Sequence, residues 1–241
     1  MSGDARKHPK FPWDFEVPND PFWNSLEYTV ARNFLQCYTE SEISKMHFDE
    51  TLSAPEKLSY LRRYLDSSFF RKEKEAAPTP FHDANYQLWM QFKLATSTME
   101  YFLENYSEQE EIVREMYENG PDGSKNMSAL HQLSGIMEKT RKYKEAEEMA
   151  LEVLPWMQNH ELLGRDAPQT LSCVRILASS VWKQKRYREG GEWMDRYGML
   201  VGGMKDGKFG KYQEAEMKAY IEAKRGLWEW RRGQGDVGES E

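Results

Sequence analysis

The stretch from Gly202 to Lys208, GGMKDGK, has the skeleton of a phosphate-binding loop: two glycines flanking four residues, then lysine. Such a loop needs Ser or Thr next, to hold magnesium, and an apolar strand before it. Phe209 stands at that position, so the segment reads as a glycine-rich connection between helices and no nucleotide cofactor is expected. The five histidines, His8, His47, His82, His131 and His160, form no HExxH and pair with no cysteine at zinc spacing, so no metal is expected either. His47-Phe-Asp49-Glu50 and His82-Asp83 place a carboxylate beside an imidazole. That pairing could move protons inside a pocket, but at a solvated helix end it is inert. No Gly-x-Ser-x-Gly elbow is present, and neither Cys37 nor Cys173 has the surroundings of a nucleophile. The two cysteines read as ordinary thiols of a reducing compartment. Glu108, Glu110, Glu111 and Glu115 are spaced for a solvated acidic face rather than a catalytic pair. The catalytic residues, if any, are not legible.

The bulk properties narrow the class. The 241 residues carry a net charge of −7, which offers no general basic face for nucleic acid or anionic membrane. Mean hydropathy is −0.86, polar for a folded chain, yet 8 Trp, 13 Tyr and 11 Phe argue against disorder. Many aromatics on a polar average suit thin helical architecture, in which each helix buries one stripe. The N-terminus MSGDARKHPK lacks the apolar core of a secretory signal, and no run approaches the roughly 20 apolar residues that span a bilayer. A cytoplasmic protein with no membrane span is expected.

Residues 1–20 form a proline and aromatic arm, in which Pro9, Pro12 and Pro18 forbid regular helix while Phe11, Trp13, Phe15 and Val17 offer apolar side chains. The arm reads as a strap across the first helices or as a segment that docks elsewhere. A helical region over 21–126 follows. Its first helix is expected from Asp20-Pro21, carrying Phe22, Leu26, Val30, Phe34 and Tyr38 on one face. A capping box at Ser53-Ala-Pro-Glu56 starts another, with Leu58, Leu61 and Leu65 on one face. RKEKEAAPTP (71–80) is the best candidate for a break, Tyr86 to Phe102 reads as a long helix, and Ser107 to Glu110 as a second capping box. Asn119-Gly120-Pro121 is a stop. No segment alternates as a strand would, so the chain reads as all-α.

After residue 127 the chain resembles itself. RKYKEAEEMALEV (141–153) aligns with KRYREGGEWMDRY (185–197), setting Tyr143 on Tyr187 and Ala146 on Gly190, 44 residues apart. At the same offset Leu130 meets Val174, Leu133 meets Leu177, Ser134 meets Ala178 and Met137 meets Val181. Apolar meets apolar and small meets small through two consecutive helices. Each copy reads as an antiparallel hairpin with a tyrosine wedge near its turn and a small residue that allows close crossing. One such pair cannot bury its face alone, so pairs stack.

This pattern resembles the tetratricopeptide repeat, in the longer kinesin-light-chain form frequent in fungal proteins. Leu163, Gly164, Asp166, Pro168, Thr170, Leu171, Leu177 and Ala178 follow the linker and first helix of that repeat. The match makes Asp166 the expected N-cap, with Gln169 completing a capping box. Ala167 replaces the usual His, and Arg141 and Lys185 replace the usual turn glycine. GKYQEAE (210–216) repeats the turn signature, but Tyr212 follows Tyr187 by too few residues for a full hairpin. The resemblance implies helical hairpins stacked as a short, degenerate array over 127–232, followed by a flexible tail at 233–241.

It also implies a role. In such arrays the first helices line a groove, and here His131, Glu138, Lys139, Arg175, Ser179, Trp182 and Lys183 fall on groove positions, together with Gly135. Trp182 reads equally well as core under the next helix. Trp228 and Trp230 cannot share a helix face, so at least one is expected to be exposed or to meet another chain. The leading expectation is a cofactor-free scaffold that binds a partner peptide or helix in the groove. The alternative is a cofactor-free helical enzyme or accessory protein, cyclase- or isomerase-like, with an aromatic-lined pocket of the kind a fungal secondary-metabolite pathway uses. A closed aromatic cavity would favour the enzyme and an open groove the binding module. A homodimer through the C-terminal helix at 211–232 is a third possibility.

Overall fold

The computed structural model describes Phe11 and residues 14–234; the remainder of the arm and residues 235–241, most of the expected flexible tail, lie outside the described residues. The described residues are all-α, with no strand among them. The helices are α1 (Pro21–Asn24), α2 (Tyr28–Leu35), α3 (Glu40–Ile43), α4 (Ala54–Ala76), α5 (Phe81–Ala84) and α6 (Tyr86–Phe102). They continue as α7 (Tyr106–Glu118), α8 (Met127–Lys139), α9 (Tyr143–Asn159), α10 (Pro168–Lys183), α11 (Tyr187–Gly203) and α12 (Gln213–Gly233). None is long and apolar enough to cross a membrane. The chain forms two compact units, Phe11–Ala129 and the residues from Leu130 onward.

In the first unit α6 packs against α2, α4, α5 and α7, burying Trp89, Phe92, Ala95 and Met99. Phe22, Trp23, Phe34 and Phe48 form a cluster of tilted and edge-to-face rings, with centroids 4.8 Å apart for the tilted Phe22–Phe48 pair and 4.9 Å for the edge-on Trp23–Phe48 pair. The described part of the arm meets α2, where Tyr28 Oη accepts from Phe15 N at 3.0 Å and donates to Phe15 O at 2.9 Å. Three local expectations change. The helix from Asp20, whose Oδ1 does accept from Trp23 N, stops at Asn24. Ser25 Oγ donates to Phe22 O and accepts from Lys57 Nζ, so its hydroxyl competes with the helical ladder and the chain restarts at Tyr28. The capping box at Ser53 forms as expected and starts α4. That helix runs through the charge cluster to Ala76, so RKEKEA is its last turns, and the two compact units part within α8 instead. Ser107 is no cap: the helix has already begun at Tyr106, and Asn105 has its amide committed to Glu100 and Glu108.

In the second unit α10 is the hub, packed by α9, α11 and α12, with Leu171, Val174, Leu177, Ala178 and Val181 fully buried. Its start differs from the expectation by one residue. A residue before proline is driven to extended backbone, so Ala167 (φ −65°, ψ 143°) is the N-cap and Pro168 the first helical residue. Asp166 therefore lies one position outside. The glycine at 190 has a steric reason: a Cβ there would sit 2.8 Å from the backbone N of Trp182 and 2.9 Å from its Cα. Helices α10 and α11 thus cross in backbone contact, and Ala146, the matching residue of α9, is fully buried.

The turns carry a regularity that extends beyond the two copies visible in the sequence. Glu104, Arg141 and Lys185 all adopt left-handed backbone, at φ 57°, 64° and 65°. At each, the left-handed residue donates to the carbonyl three back, and the next residue donates five back: Asn105 to Glu100, Lys142 to Met137, Arg186 to Val181. This is a Schellman closure with a non-glycine at the left-handed position. The residue after it, Tyr106, Tyr143 or Tyr187, is each time the first of the next helix. From these tyrosines Val113, Ala150 and Met194 are in register and buried, as are Met116, Val153 and Tyr197. The turn between α6 and α7 therefore has the same construction as those between α8 and α9 and between α10 and α11, although it lies in the part of the sequence where no repeat was visible. Tyr212 does not: it ends a 3-10 turn (Gly210–Tyr212) and α12 begins at Gln213.

Candidate functional site

Four of the seven groove residues come together at one end of the second unit. Helix α8 ends with Glu138 and Lys139, and α10 ends with Lys183. Glu138 Oε1 accepts from Ser179 Oγ at 2.7 Å and forms a tight ion pair with Lys183 Nζ. Burial pushes the Glu138 carboxyl up, but the lysine charge and the two hydrogen bonds outweigh it, leaving it below the usual carboxylate range. Lys183 Nζ also lies 5.4 Å from the centroid of the Tyr143 ring, within cation–π range.

These residues open onto a cleft of about 380 Å³ walled by Glu138, Lys139, Arg141, Tyr143, Lys183, Trp230 and Gln234. Each wall has a local origin. The Schellman turn exposes Arg141 and sets Tyr143 at the start of α9, while α12 brings Trp230 across. The cleft presents a lysine ion-paired to a carboxylate, two further cations and two aromatic faces. Arg141, Tyr143, Trp230 and Gln234 were not among the predicted groove residues. The tyrosine-centred turn was the available signal for Arg141 and Tyr143; that Trp230 would close the same cleft depends on where α12 packs.

The other three predicted residues lie elsewhere. Trp182 is buried, with 5% of its surface exposed, so it is core under α12 and not a groove wall. Its Nε1 donates to Leu227 O at 3.0 Å, and its ring meets Tyr187 and Trp228 edge-on. Trp228 is 48% exposed on its outer side. Arg175 is half-buried, and its guanidinium donates to Ser172 Oγ at 3.5 Å. Its charge acts on His131, Tyr197 and Glu216. Burial, assisted by that charge, pushes the His131 imidazole down to about 4, and its Nδ1 has no hydrogen-bond partner among the described residues. Burial raises the Glu216 carboxyl, whose Oε2 accepts from Tyr197 Oη at 3.0 Å.

Lys208, which would have been the phosphate-loop lysine, donates to the carbonyl of Leu162 at 3.0 Å, and Phe209 is buried. His82 Nε2 lies 3.4 Å from Asp83 Oδ1 with the acid well exposed, and His47 is exposed. Both cysteines are buried thiols, and burial pushes Cys173 up to about 12. Glu108, Glu110 and Glu115 pair with Arg62, Arg114 and Lys93. No group of three or more metal-ligating side chains occurs among the described residues. A second, shallower trough of about 650 Å³ runs along the outer face of α12, past Met217 and Ile221. No family model, curated protein or solved structure matches the chain.

Proposed function

We propose that the chain is a non-enzymatic interaction module, built on tetratricopeptide-like stacked hairpins, that holds a partner peptide in the cleft between Tyr143 and Trp230. The observation that carries this reading is the cleft itself. The ends of α8 and α10, equivalent elements of the two repeat copies, present Glu138, Lys139 and Lys183 to one opening flanked by aromatic rings. Aromatic and arginine side chains at the mouth of a cleft are the usual anchors of a partner chain. The matching Schellman turns at Arg141 and Lys185 and the backbone crossing at Gly190 support the stacked-hairpin part of the reading. Trp182 is left out of the contact surface because it is buried, and His131 and Arg175 because they are not among the walls of the cleft.

The test is affinity purification with the native chain and with Lys139→Glu plus Arg141→Glu. Both residues are exposed, so the pair leaves the fold in place. A partner that co-purifies stoichiometrically with the native chain and is lost with the double variant supports the reading; equal recovery with both removes the cleft from it.

A second copy of the chain suits the α12 trough. Ile221 is 58% exposed there, and Glu214, Lys218, Glu222 and Arg225 alternate in sign along it. In antiparallel two-fold pairing Glu214 faces Arg225, and Lys218 faces Glu222, of the second copy. Sedimentation of native chain against Ile221→Asp tests this; identical monomer mass for both would remove the dimer.

A further inference from the structure

The first unit has a cleft of its own, of about 430 Å³, a volume within the roughly 300–1,000 Å³ of small-ligand sites. Three segments build it. The chain leaving α2 supplies Gln36 and Tyr38, the last turns of α4 supply Arg71 and Lys72, and α6 supplies Leu88 and Phe92. Leu88 and Phe92 are four residues apart and share one face of α6. That helix packs against both α2 and α4, which fixes the three segments relative to one another. The floor is apolar: Phe92 is buried, its ring meets Tyr38 edge-on at 5.8 Å, and Leu88 is half-buried. Cys37, also in the wall, donates its thiol to Asn33 O at 3.3 Å and is already engaged.

The rim is charged, and one cation there is left over. Glu42 is committed to the start of α3, where its Oε2 accepts from Thr39 N at 2.8 Å and from Thr39 Oγ1 at 2.9 Å. Lys72 Nζ donates to Glu75 Oε2 at 2.9 Å. Arg71 has no such partner: Glu75 Oε1 lies 4.0 Å from its Nε, and its guanidinium makes no hydrogen bond among the described residues. Its charge is nevertheless felt in the cleft. The Thr39 backbone hydrogen bond holds the Glu42 carboxyl below its ordinary range, with the Lys72 and Arg71 charges assisting. Burial raises the Tyr38 phenol, opposed by Ser68 and by the Arg71 charge. Glu42 and Tyr38 both wall the cleft, so the guanidinium stands over it. Gln36, half-buried at the same rim, has a side-chain amide with no hydrogen bond among the described residues.

We propose that this cleft binds a small monocarboxylate with an apolar body, its carboxylate on Arg71 and Gln36 and its body along Leu88 and Phe92. A planar guanidinium takes a carboxylate through two parallel hydrogen bonds, which an ammonium cannot do, so Arg71 rather than Lys72 is the anchor. Apolar contact with the floor then adds to the charge contact at the rim, and neither part of the ligand suffices alone. Every residue of the site belongs to the first unit. The proposal therefore stands or falls apart from the partner reading of the second-unit cleft.

The experiment titrates the full chain with octanoate by isothermal calorimetry. Three further probes dissect the ligand: octanol and octylammonium keep the body and change the head, and acetate keeps the head and removes the body. The expected result is one octanoate per chain with a dissociation constant below about 1 mM. Octanol should bind about tenfold more weakly or worse, and octylammonium and acetate should show no saturable binding. Arg71→Gln, at an exposed position, should weaken octanoate by about tenfold or more while leaving the thermal melt unchanged. Ile221→Asp, in the apolar trough of α12, is the control for adventitious binding and should leave octanoate affinity as it is. No saturable octanoate binding, octanol as tight as octanoate, or an affinity indifferent to Arg71→Gln would each overturn the proposal. Loss of binding with Ile221→Asp would place the ligand on α12 and overturn it as well.

Discussion

Replacing Gly190 by alanine adds a single methyl group at the place where α11 crosses α10. The added Cβ would lie 2.8 Å from the nitrogen and 2.9 Å from the Cα and Cβ of Trp182. These are not flexible side-chain ends. They belong to a helix buried against α9, α11 and α12, so relief requires the two helices to separate. Overpacking of this kind costs about 1–3 kcal/mol, and contact with backbone places it in the upper half of that range. Against it stands the better helix propensity of alanine, about 1 kcal/mol. The expected net loss is about 1–2 kcal/mol, which for a chain of this size lowers the melting midpoint by about 3–6 °C. Gly135→Ala is the internal control. Its Cβ would meet the side-chain end of Ile176 at 3.6 Å, an ordinary contact, so the propensity gain survives and the variant melts at or above native. Thermal unfolding followed by circular dichroism reads both. A Gly190→Ala chain as stable as native would refute the backbone crossing, and with it the reason for a small residue at that position.

The left-handed turns predict a gain. Lys185→Gly and Glu104→Gly each remove a strained non-glycine backbone and should raise stability by up to about 1 kcal/mol, less the flexibility glycine adds to the unfolded chain; a loss at either position, measured by urea unfolding, would deny that the two turns are alike. His131 predicts a pH dependence. Its folded value, about 4, lies below the unfolded 6.5, so the unfolded chain takes up this proton first and stability falls as pH drops from about 6.5 towards 4. Glu216, raised by burial, works in the opposite direction on the acid side. The expected loss from His131 is of the order of 2–3 kcal/mol across that window, and His131→Asn should flatten the slope of the urea midpoint between pH 7 and 5; an unchanged slope would place the imidazole in contact with solvent.

What the sequence made legible depended on how local the cause was. Helical class, the capping box at Ser53 and the small residue at 190 follow from neighbours within one or two turns. The N-cap slipped from Asp166 to Ala167 because one steric rule, the effect of Pro168 on the residue before it, outweighed a better capping side chain. The third hairpin was hidden because Glu100 and Gln109 occupy positions that are apolar or small in the other two copies. Both are buried there, Glu100 through an ion pair with Arg62 that no local pattern announces. Trp182 could be read either way until α12 was placed: groove and core differ only in whether a later helix covers the ring. The cleft was half visible for the same reason, since α8 and α10 supply one wall by repeat logic while Trp230 and Gln234 arrive from a helix outside the repeat.

The most direct test of the binding-module account is photocrosslinking from the cleft in the native cellular extract. Benzoylphenylalanine is placed at Lys139 in one chain and at Met199, 72% exposed on α11, in another. The account predicts a discrete crosslinked partner from position 139, absent from position 199 and competed away by excess unlabelled native chain. The same product from both positions, or from position 199 alone, would contradict it.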